Sequence, residues 1–261
     1  MMYDKLKLFL FIISGNGLIQ NMLEKLVFLC EYFMGMGSGS TTSSSGEKCV
    51  FNLLKGDTII VFDVGANQGQ FAREALDNVN ATATIYSFEP SQSTYEMMKK
   101  NIKDKRHHTF NIGLGKSKSI MNLYYDDIGS GLASLTKRDL ASHDIVFNKS
   151  EEVTIDTIDN FCEENKIEYI DLLKIDVEGH ELDVLNGATS IFEKTKIVMF
   201  EFGGCNIDTR TYFKDFYKFF LEKDMILYRI TPSGYLHRIE QYKELYEQFT
   251  TTNFVAKREN E

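Results

Sequence analysis

The sequence has few cysteines, and none stands at a metal-binding or disulfide-like spacing. They are Cys30, Cys49, Cys162 and Cys205, which lie far apart and include no Cys-x-x-Cys pair. No histidines stand at zinc-finger spacing either. These absences argue against a structural zinc site and against a dense disulfide framework. We therefore expect a chain adapted to a reducing compartment such as the cytoplasm.

The chain also lacks an excess of positive charge and a long apolar run. It has 261 residues and a formal net charge of −9, whereas nucleic-acid binders present a basic face, so we expect no nucleic-acid partner. The apolar run Leu8 to Ile13 is far shorter than the about 20 residues that span a bilayer. No small-residue cleavage site follows it, so we expect neither an export signal nor a membrane span.

The length fits one α/β domain behind an N-terminal extension. Apolar residues recur at helical spacing from Leu18 to Met34, which predicts an amphipathic helix with one face buried against the domain. A second subunit in a homodimer, or peripheral contact with a membrane, is the alternative partner for that face. Gly35 to Gly46 is rich in glycine and serine and indicates a linker, with a loop over the active site as the alternative. We assign residues 1–46 to this extension and residues 47–261 to the domain.

From residue 47 onward, strand-like and helix-like segments alternate, which predicts βαβ units and a mainly parallel sheet. An alternating run from Ser119 to Tyr124 predicts a β-hairpin excursion between Ser117 and Ile155. An aromatic stripe between Thr209 and Leu221 predicts a helix with a buried face. The other predicted helices cover residues 70–79, 91–103, 156–165 and 181–188, and the predicted strands cover 59–64, 83–88, 109–112, 170–175, 197–202, 225–230 and part of 250–256.

The stretch from Val61 to Phe71 is the most informative part of the chain. A buried strand is predicted to end at Val64, and Gly65 and Gly69 then lead into a helix. Gly65 lets the backbone turn sharply and approach a ligand, and the free amides of the helix start favour an acceptor group. A structural strand-to-helix turn is the alternative when the glycines are considered alone.

The next strand-like run decides between two nucleotide ligands. It ends in Glu89, and a carboxylate at this place binds ribose hydroxyls in nucleotide-binding folds. The dinucleotide fingerprint needs a glycine where this chain has Asn67, because that glycine admits the pyrophosphate. The pattern therefore favours S-adenosylmethionine, which has a ribose and an adenine but no phosphate, over NAD.

A second group of candidate residues follows the predicted strand 170–175. Asp176, Glu178 and His180 stand there, and Glu201 ends the next strand-like run. Ligands of open α/β sheets bind at the carboxyl ends of strands, so we predict Asp176, Glu178 and His180 as catalytic residues. Methyl transfer to a hydroxyl requires removal of a proton, and Asp176 and His180 are the candidate general bases. Glu178 or Glu201 would orient the acceptor.

Two other roles for these side chains stay open. In a purely structural interpretation, the side chain of Glu178 or Asp176 caps the N-terminus of the following helix. The four side chains, Glu201 included, also offer ligand atoms to a divalent cation. Their spacing fits no specific ligand set, so no metal site is predicted.

Four segments of the sequence stand in a characteristic order: VFDVGANQGQFA, YSFEPSQSTYEMMKKNI, VTIDTIDNFCEENKIEYIDLLKIDVEGHELDVLNGA and IVMFEFGG. Together they resemble the FkbM family of S-adenosylmethionine-dependent methyltransferases over roughly residues 47 to 230. The DVGAN turn is shared by many methyltransferases. The LLKIDVEGHE run after TIDTID is much more specific to this family.

The resemblance implies a Rossmann-like α/β fold with a mainly parallel seven-stranded sheet whose last strand is antiparallel. It also implies O-methylation with S-adenosyl-L-methionine as the cofactor. By motif match, the cofactor-binding residues are Asp63, Gly65, Ala66, Asn67, Gly69, Glu89, Asn111, Gly113 and Asp176. The small-residue segment 129–134 is expected to approach the cofactor or the acceptor, so Ser130 and Ser134 join Glu201 as candidate substrate-binding residues.

We therefore expect a cytoplasmic O-methyltransferase that modifies a sugar hydroxyl of a glycan, a glycolipid or a related natural product. The partner would be a small-molecule or glycan acceptor. The alternatives are a catalytically silent S-adenosylmethionine-binding protein and an NAD-dependent oxidoreductase on a similar fold. Methylation of RNA is a further alternative. The negative net charge of the chain argues against it, because RNA-binding proteins attract the phosphate backbone with positive charge.

Overall fold

The computed structural model describes residues 3, 7, 11, 14–39, 45–79 and 82–259. Two predicted features fall largely outside these residues, namely the apolar start before residue 14 and residues 40–44 of the Gly/Ser segment. In the part of the chain that is described, no helix combines the length and apolar character needed to cross a bilayer.

Eight strands of the described residues form one sheet, in the order β10-β9-β11-β8-β7-β1-β2-β3. Their bounds are β1 Ile60–Val64, β2 Thr84–Phe88, β3 His107–Phe110, β7 Ile170–Ile175, β8 Thr195–Phe202, β9 Ile226–Ile230, β10 Leu236–Arg238 and β11 Thr252–Lys257. Strand β1 pairs in parallel with β2 and β7, and β11 runs antiparallel to both β8 and β9. The mainly parallel sheet with an antiparallel last strand is thereby confirmed. The short edge strand β10 is an eighth strand beyond the seven expected.

The predicted excursion forms a small second sheet. It contains β4 (Gly113–Leu114), β5 (Ser119–Tyr125) and β6 (Lys149–Asp156), in the order β4-β6-β5. Strands β5 and β6 pair antiparallel along their length, from Ser119 with Ile155 to Tyr125 with Lys149. The connection between them, residues 126–148, is long enough to reach the carboxyl ends of β1 and β7.

Helices cover both faces of the main sheet and follow the predicted positions closely. They are α2 Gln70–Asn78, α3 Gln92–Asn101, α4 Ile158–Asn165, α5 Glu181–Asn186, α6 Cys205–Thr209 and α7 Phe213–Glu222. Helix α2 buries Phe71, Ala72, Ala75 and Leu76, which share one face at helical spacing. Strand β7 is buried along its entire length, as expected for a central parallel strand covered on both sides.

The aromatic helix α7 begins four residues later than predicted. The separate short helix α6 occupies residues 205–209, and Arg210 ends it with a left-handed φ of +56°. At the start of α7 the Asp215 side chain then accepts a hydrogen bond from Tyr212 N at 3.0 Å. Phe216 is buried and stacks on Phe200 of β8 with ring centroids 4.8 Å apart, so the predicted core role of the stripe is confirmed.

The N-terminal helix α1 (Gly17–Met34) does not pack as predicted. None of its residues is buried, and Leu18, Phe28 and Phe33 are 79%, 68% and 67% exposed. The expectation that one face is buried against the domain is therefore wrong. The C-terminal end of α1 is anchored, because Arg229 Nε donates to the Met34 carbonyl at 2.7 Å and the Met34 side chain packs against the core.

The described part of the Gly/Ser segment packs against the last strand. Gly39 N donates to the Thr251 carbonyl at 2.9 Å, and Gly37 N donates to Thr252 Oγ1 at 3.3 Å. Gly39 thereby reaches the edge of the main cavity of the domain. The division of the chain at residue 46 stays a prediction.

Candidate functional site

A cavity of about 470 Å³ opens where β1, β2, β7 and β8 end. This is the edge at which open α/β sheets bind their ligands, and the volume lies within the range of small-molecule sites. The predicted site residues that line it are Gly65, Ala66, Asn67, Glu89, Gly113, Ser130, Asp176, Glu178 and Glu201. The sheet therefore brings most of the predicted residues together.

The turn after β1 is shaped so that backbone, not side chains, faces the cavity. Gly65 has a φ of +78°, and a Cβ there would collide with the Asp176 carbonyl oxygen. Asn67 and Gly69 also have left-handed φ values, +46° and +83°, so the chain turns twice before α2 begins. The amides of Gly65 and Ala66 both donate to the Phe88 carbonyl at 3.0 Å, which fixes this turn against the end of β2.

Glu89 connects the turn to the loop after β2. Its Oε2 accepts from Asn67 N and its Oε1 from Ser91 N, both at 2.9 Å. Burial raises the pKa of Glu89 to about 7. The hydrogen bonds from the two backbone donors act in the opposite direction and lower it, but their effect is smaller. Asn111 supports the same loop, because its amide donates to the carbonyls of Glu89 and Pro90 at 3.0 and 2.9 Å.

A buried lysine stands between two of the predicted acids. Lys174 Nζ lies 3.1 Å from Asp176 Oδ2 and 3.4 Å from Asp63 Oδ1. Asp63 is fully buried beneath the turn, so it faces Lys174 in the interior. It does not line the cavity. Burial acts to lower the pKa of Lys174, but the carboxylates of Asp176, Asp63 and Glu47 raise it above its usual range, so the lysine stays charged.

Three carboxyl groups converge at the ends of β7 and β8. Ligand atoms of Asp176, Glu178 and Glu201 all lie within 4.8 Å of one another. Burial, followed by the charge of Asp176, raises the pKa of Glu178 to about 8 and that of Glu201 well above its ordinary value. Glu178 and Glu201 therefore favour their protonated forms near neutral pH, in which a carboxyl group can donate a hydrogen bond to a ligand as well as accept one.

Arg138, from the connection between β5 and β6, holds one of these carboxylates. Its Nη1 donates to Glu178 Oε2 at 2.7 Å and its Nε donates to Asp208 Oδ2 at 3.2 Å, and its side chain is 8% exposed. Ser134 Oγ from the same connection donates to the Glu178 carbonyl at 2.7 Å. The excursion thus fixes Glu178, which adopts a left-handed φ of +54°.

The same connection closes one side of the cavity. Gln68 Nε2 donates to the Gly129 carbonyl at 3.2 Å, and Asn67 Nδ2 donates to the Ser130 carbonyl at 3.4 Å. Residues 129–133 consequently form a wall opposite the end of β7.

His180 lies in a neighbouring cleft with Thr136, Asp183 and Asp208. Its Nδ1 is 2.9 Å from Asp183 Oδ2 and its Nε2 is 3.0 Å from Thr136 Oγ1. The structure thus separates His180 from the cavity that Asp176, Glu178 and Glu201 share. Both ring nitrogens have partners, which suits a residue that positions the loop after β7.

The family of the chain follows from comparison with known proteins. The sequence model of the methyltransferase FkbM domain matches residues 63–229, which is well over half of the chain and includes the ends of β1, β2, β7 and β8 that form the cavity. The chain belongs to the FkbM methyltransferase family.

Relatives of this FkbM protein are distant in sequence. The 2-O-methyltransferase NoeI of Sinorhizobium fredii is 24% identical over 62% of this chain and 70% of its own length. The hexuronic acid methyltransferase AglP of Haloferax volcanii is 28% identical over 60% of this chain and 62% of its own length. A solved FkbM methyltransferase from Methylobacillus flagellatus superposes with a TM-score of 0.49 at 14% identity, over 78% of this chain and 45% of that one. The family match and the two curated relatives show that the chain is a methyltransferase, and the oxidoreductase alternative is set aside.

Three residues of this FkbM site are absent from the sequence-based candidates. Lys174 stands two positions before Asp176 inside LLKIDVEG, where a charged residue in a strand predicted to be buried was the available signal. Glu47 and Arg138 come from segments distant in sequence, and no local pattern marks them. Both reach the site through tertiary contacts, since Glu47 lines the cavity and Arg138 binds Glu178.

Proposed function

We propose that this chain is an S-adenosylmethionine-dependent O-methyltransferase whose acceptor is a sugar hydroxyl. The observation that carries the proposal is one cavity with two chemically different sides. One side is backbone and Glu89, and the other is the carboxyl group of Asp176 with Glu178 and Glu201. The names of two relatives, a 2-O-methyltransferase and a hexuronic acid methyltransferase, agree with this acceptor class.

The glycine turn fits the cofactor. Because a Cβ at Gly65 would collide with the Asp176 carbonyl oxygen, glycine lets the turn pack directly against the end of β7 and present its backbone beside Asp176. Gly65, Ala66, Asn67 and Gly69 would hold the methionine end, and Glu89 would hold the ribose. When bound, the cofactor supplies an electrophilic methyl group on a sulfonium. Gly113 and Leu114 line the cavity beside Glu89 and would contact the adenine.

The chemical roles of the acidic residues follow from their contacts. Asp176, held by Lys174, would accept the hydrogen bond of the attacking hydroxyl and take its proton as the new carbon–oxygen bond forms. Glu178 and Glu201 would orient the acceptor and share that proton. His180 would act indirectly, through Asp183 and Thr136, by fixing the loop that carries Glu178.

Asp176, Glu178 and Glu201 would also be the ligands of a divalent cation, should one assist the reaction. Lys174 and Arg138 weigh against it, because each already places a positive charge on one of these carboxylates. We therefore propose a reaction that needs no metal.

The location and partners of the protein form a further part of the proposal. We place the enzyme in the cytoplasm and expect the exposed apolar side of α1 to be covered in the working protein. A homodimer and a membrane surface are the two candidates for that cover. Sedimentation with and without liposomes separates them, because only the second candidate predicts cosedimentation.

The decisive test is methyl transfer from labelled S-adenosylmethionine to a panel of sugar acceptors, with and without a chelator. Label on a sugar in both conditions supports the proposal. Binding of S-adenosylhomocysteine without transfer to any carbohydrate would instead favour a silent cofactor-binding protein. Transfer that stops with the chelator and returns with Mg²⁺ would contradict the metal-free reaction.

A further inference from the structure

The half of the cavity beyond Asp176 has an unusual charge balance. On the proposed function, on which this inference rests, the glycine turn and Glu89 hold the cofactor and the remaining lining faces the acceptor. We call that remainder the acceptor half, and its polar side chains include Glu47, Lys174, Asp176, Glu178, Glu201 and Asn253. Most of these side chains are carboxyl groups, from three separate segments of the chain.

The positively charged side chains near the acceptor half already form ion pairs with carboxylates. Lys174 binds both Asp63 and Asp176, and Arg138 binds both Glu178 and Asp208. No ion pair to Glu47 or Glu201 is formed within the described residues. An anionic acceptor would therefore meet the carboxylate of Asp176 and no unpaired cation among the described residues of this half.

Glu47 provides the second, independent observation. It is only 5% exposed, and its Oε2 accepts from Asn253 Nδ2 at 3.3 Å. Its Oε1 has no hydrogen-bond partner in the part of the chain that is described. A buried carboxylate oxygen without a donor is costly, so a ligand that brings a hydroxyl or ammonium donor would be favoured at this place.

We propose that the acceptor is a neutral or amino sugar and not a uronic acid, and that Glu47 and Glu201 set this preference. Hydroxyl and ammonium groups donate to the free carboxyl oxygens. A carboxylate on the sugar would give up its hydration without gaining an unpaired cation in this half of the cavity, which is costly. The chain would then differ in acceptor from AglP, whose name specifies hexuronic acid.

The test uses the full chain and glycosides that differ only in one substituent, namely a glucoside, a glucosaminide and a glucuronide of the same aglycone, with galacto and manno series in parallel. The readout is kcat/KM for methyl transfer in chelator-containing buffer. We expect the glucuronide to be at least about tenfold poorer than the other two. Calorimetry with S-adenosylhomocysteine present should rank the affinities in the same order.

Two variants assign the preference to residues. Glu201→Gln and Glu47→Gln should each reduce the discrimination against the glucuronide several-fold, measured as a ratio so that a general loss of activity cancels. Glu222→Gln, an exposed carboxyl on α7, is the matched control and should leave the ratio unchanged.

The outcomes separate this inference from the proposed function. Methylation of the glucuronide at a rate equal to or faster than that of the other two glycosides overturns the inference but leaves the proposed sugar methylation intact. A preference for the glucuronide that appears only with added Mg²⁺ has the same consequence. A ratio that both variants leave unchanged also overturns it. Absence of methylation on every sugar overturns the proposed function, and the inference with it.

Discussion

Lys174 Nζ lies 3.1 Å from Asp176 Oδ2, at the point where strand β7 leaves the core and enters the cavity. The lysine is almost entirely buried and also faces Asp63, which has no exposure to solvent. One cation thus joins the turn that would hold the cofactor to the carboxylate that would take the proton. The neighbouring carboxylates raise the pKa of Lys174, so the lysine stays positively charged.

Replacing Lys174 tests whether this pair supports the fold. Lys174→Met leaves the buried Asp63 carboxylate without its countercharge, which we expect to cost about 3–5 kcal/mol of unfolding free energy. Urea denaturation measures the change. Adding Asp63→Asn should restore part of it, because the uncompensated charge is then gone. Lys149→Met, which breaks the exposed pair with Asp127, is the control and should barely move the midpoint.

Gly65→Ala tests the cradle. Gly65 combines a φ of +78° with a Cβ position that would collide with the Asp176 carbonyl, so S-adenosylhomocysteine affinity should fall at least about tenfold by calorimetry. Gly56→Ala is the matched control, since Gly56 has a φ of +113° but open space around its Cβ position. Both variants should lose stability, and only the first should lose affinity. Equal affinity in both would show that the turn does not contact the cofactor.

Glu47→Gln should change how stability depends on pH. Burial raises the pKa of Glu47 to about 7, so the folded state favours its protonated form. The stabilisation from that raised pKa is complete below the unfolded value of about 4.5 and is lost as pH rises through about 7. The glutamine variant avoids this loss and should be more stable than the wild type at pH 8, by an amount on the order of 2–3 kcal/mol.

Denaturation midpoints of both proteins at pH 5, 6, 7 and 8 check that prediction. The difference should grow steadily across the series. A constant difference would mean that Glu47 is ionised throughout and that its burial carries no such penalty.

His180 and Asp176 should differ sharply in their effect on turnover. Asp176→Asn removes the proton acceptor, so kcat should fall about 10²-fold or more with little change in S-adenosylhomocysteine affinity. His180→Asn affects the reaction only through Thr136 and Asp183, and a loss below about tenfold is expected. Single-turnover rates provide the comparison. A loss for His180→Asn as large as that for Asp176→Asn would mean that the imidazole itself takes the proton.

The sequence predicted the parallel core well because its signals are local. The run Ile170 to Ile175 is apolar except at Asp171 and Lys174, and the strand has the predicted bounds. Gly65 and Gly69 marked the turn because only a few residue types tolerate their backbone angles. Glu89, Asp176 and Glu201 stand at or just after the ends of predicted strands. Because the carboxyl ends of parallel strands lie at one edge of the sheet, these positions predicted that the three residues would lie close together.

The features that sequence reasoning missed depend on contacts between distant segments. Amphipathic spacing in α1 predicted a buried face, but spacing does not reveal whether a partner surface is within reach, and Phe28 is exposed. Glu47 and Arg138 reach the site from a 3-10 helix and from a long connection, where no periodicity applies. His180 lies two residues from Glu178, yet it faces another cleft because the left-handed backbone at Glu178 turns the chain between them.

The most direct test of the central claim is a crystal structure of the protein soaked with S-adenosylhomocysteine. The account predicts density for the ligand in the main cavity, with its amino-acid end on the turn from Gly65 to Gly69, its ribose at Glu89 and its sulfur directed toward Asp176. Clear binding in solution together with ligand density elsewhere, or none between Gly65 and Glu89, would contradict it.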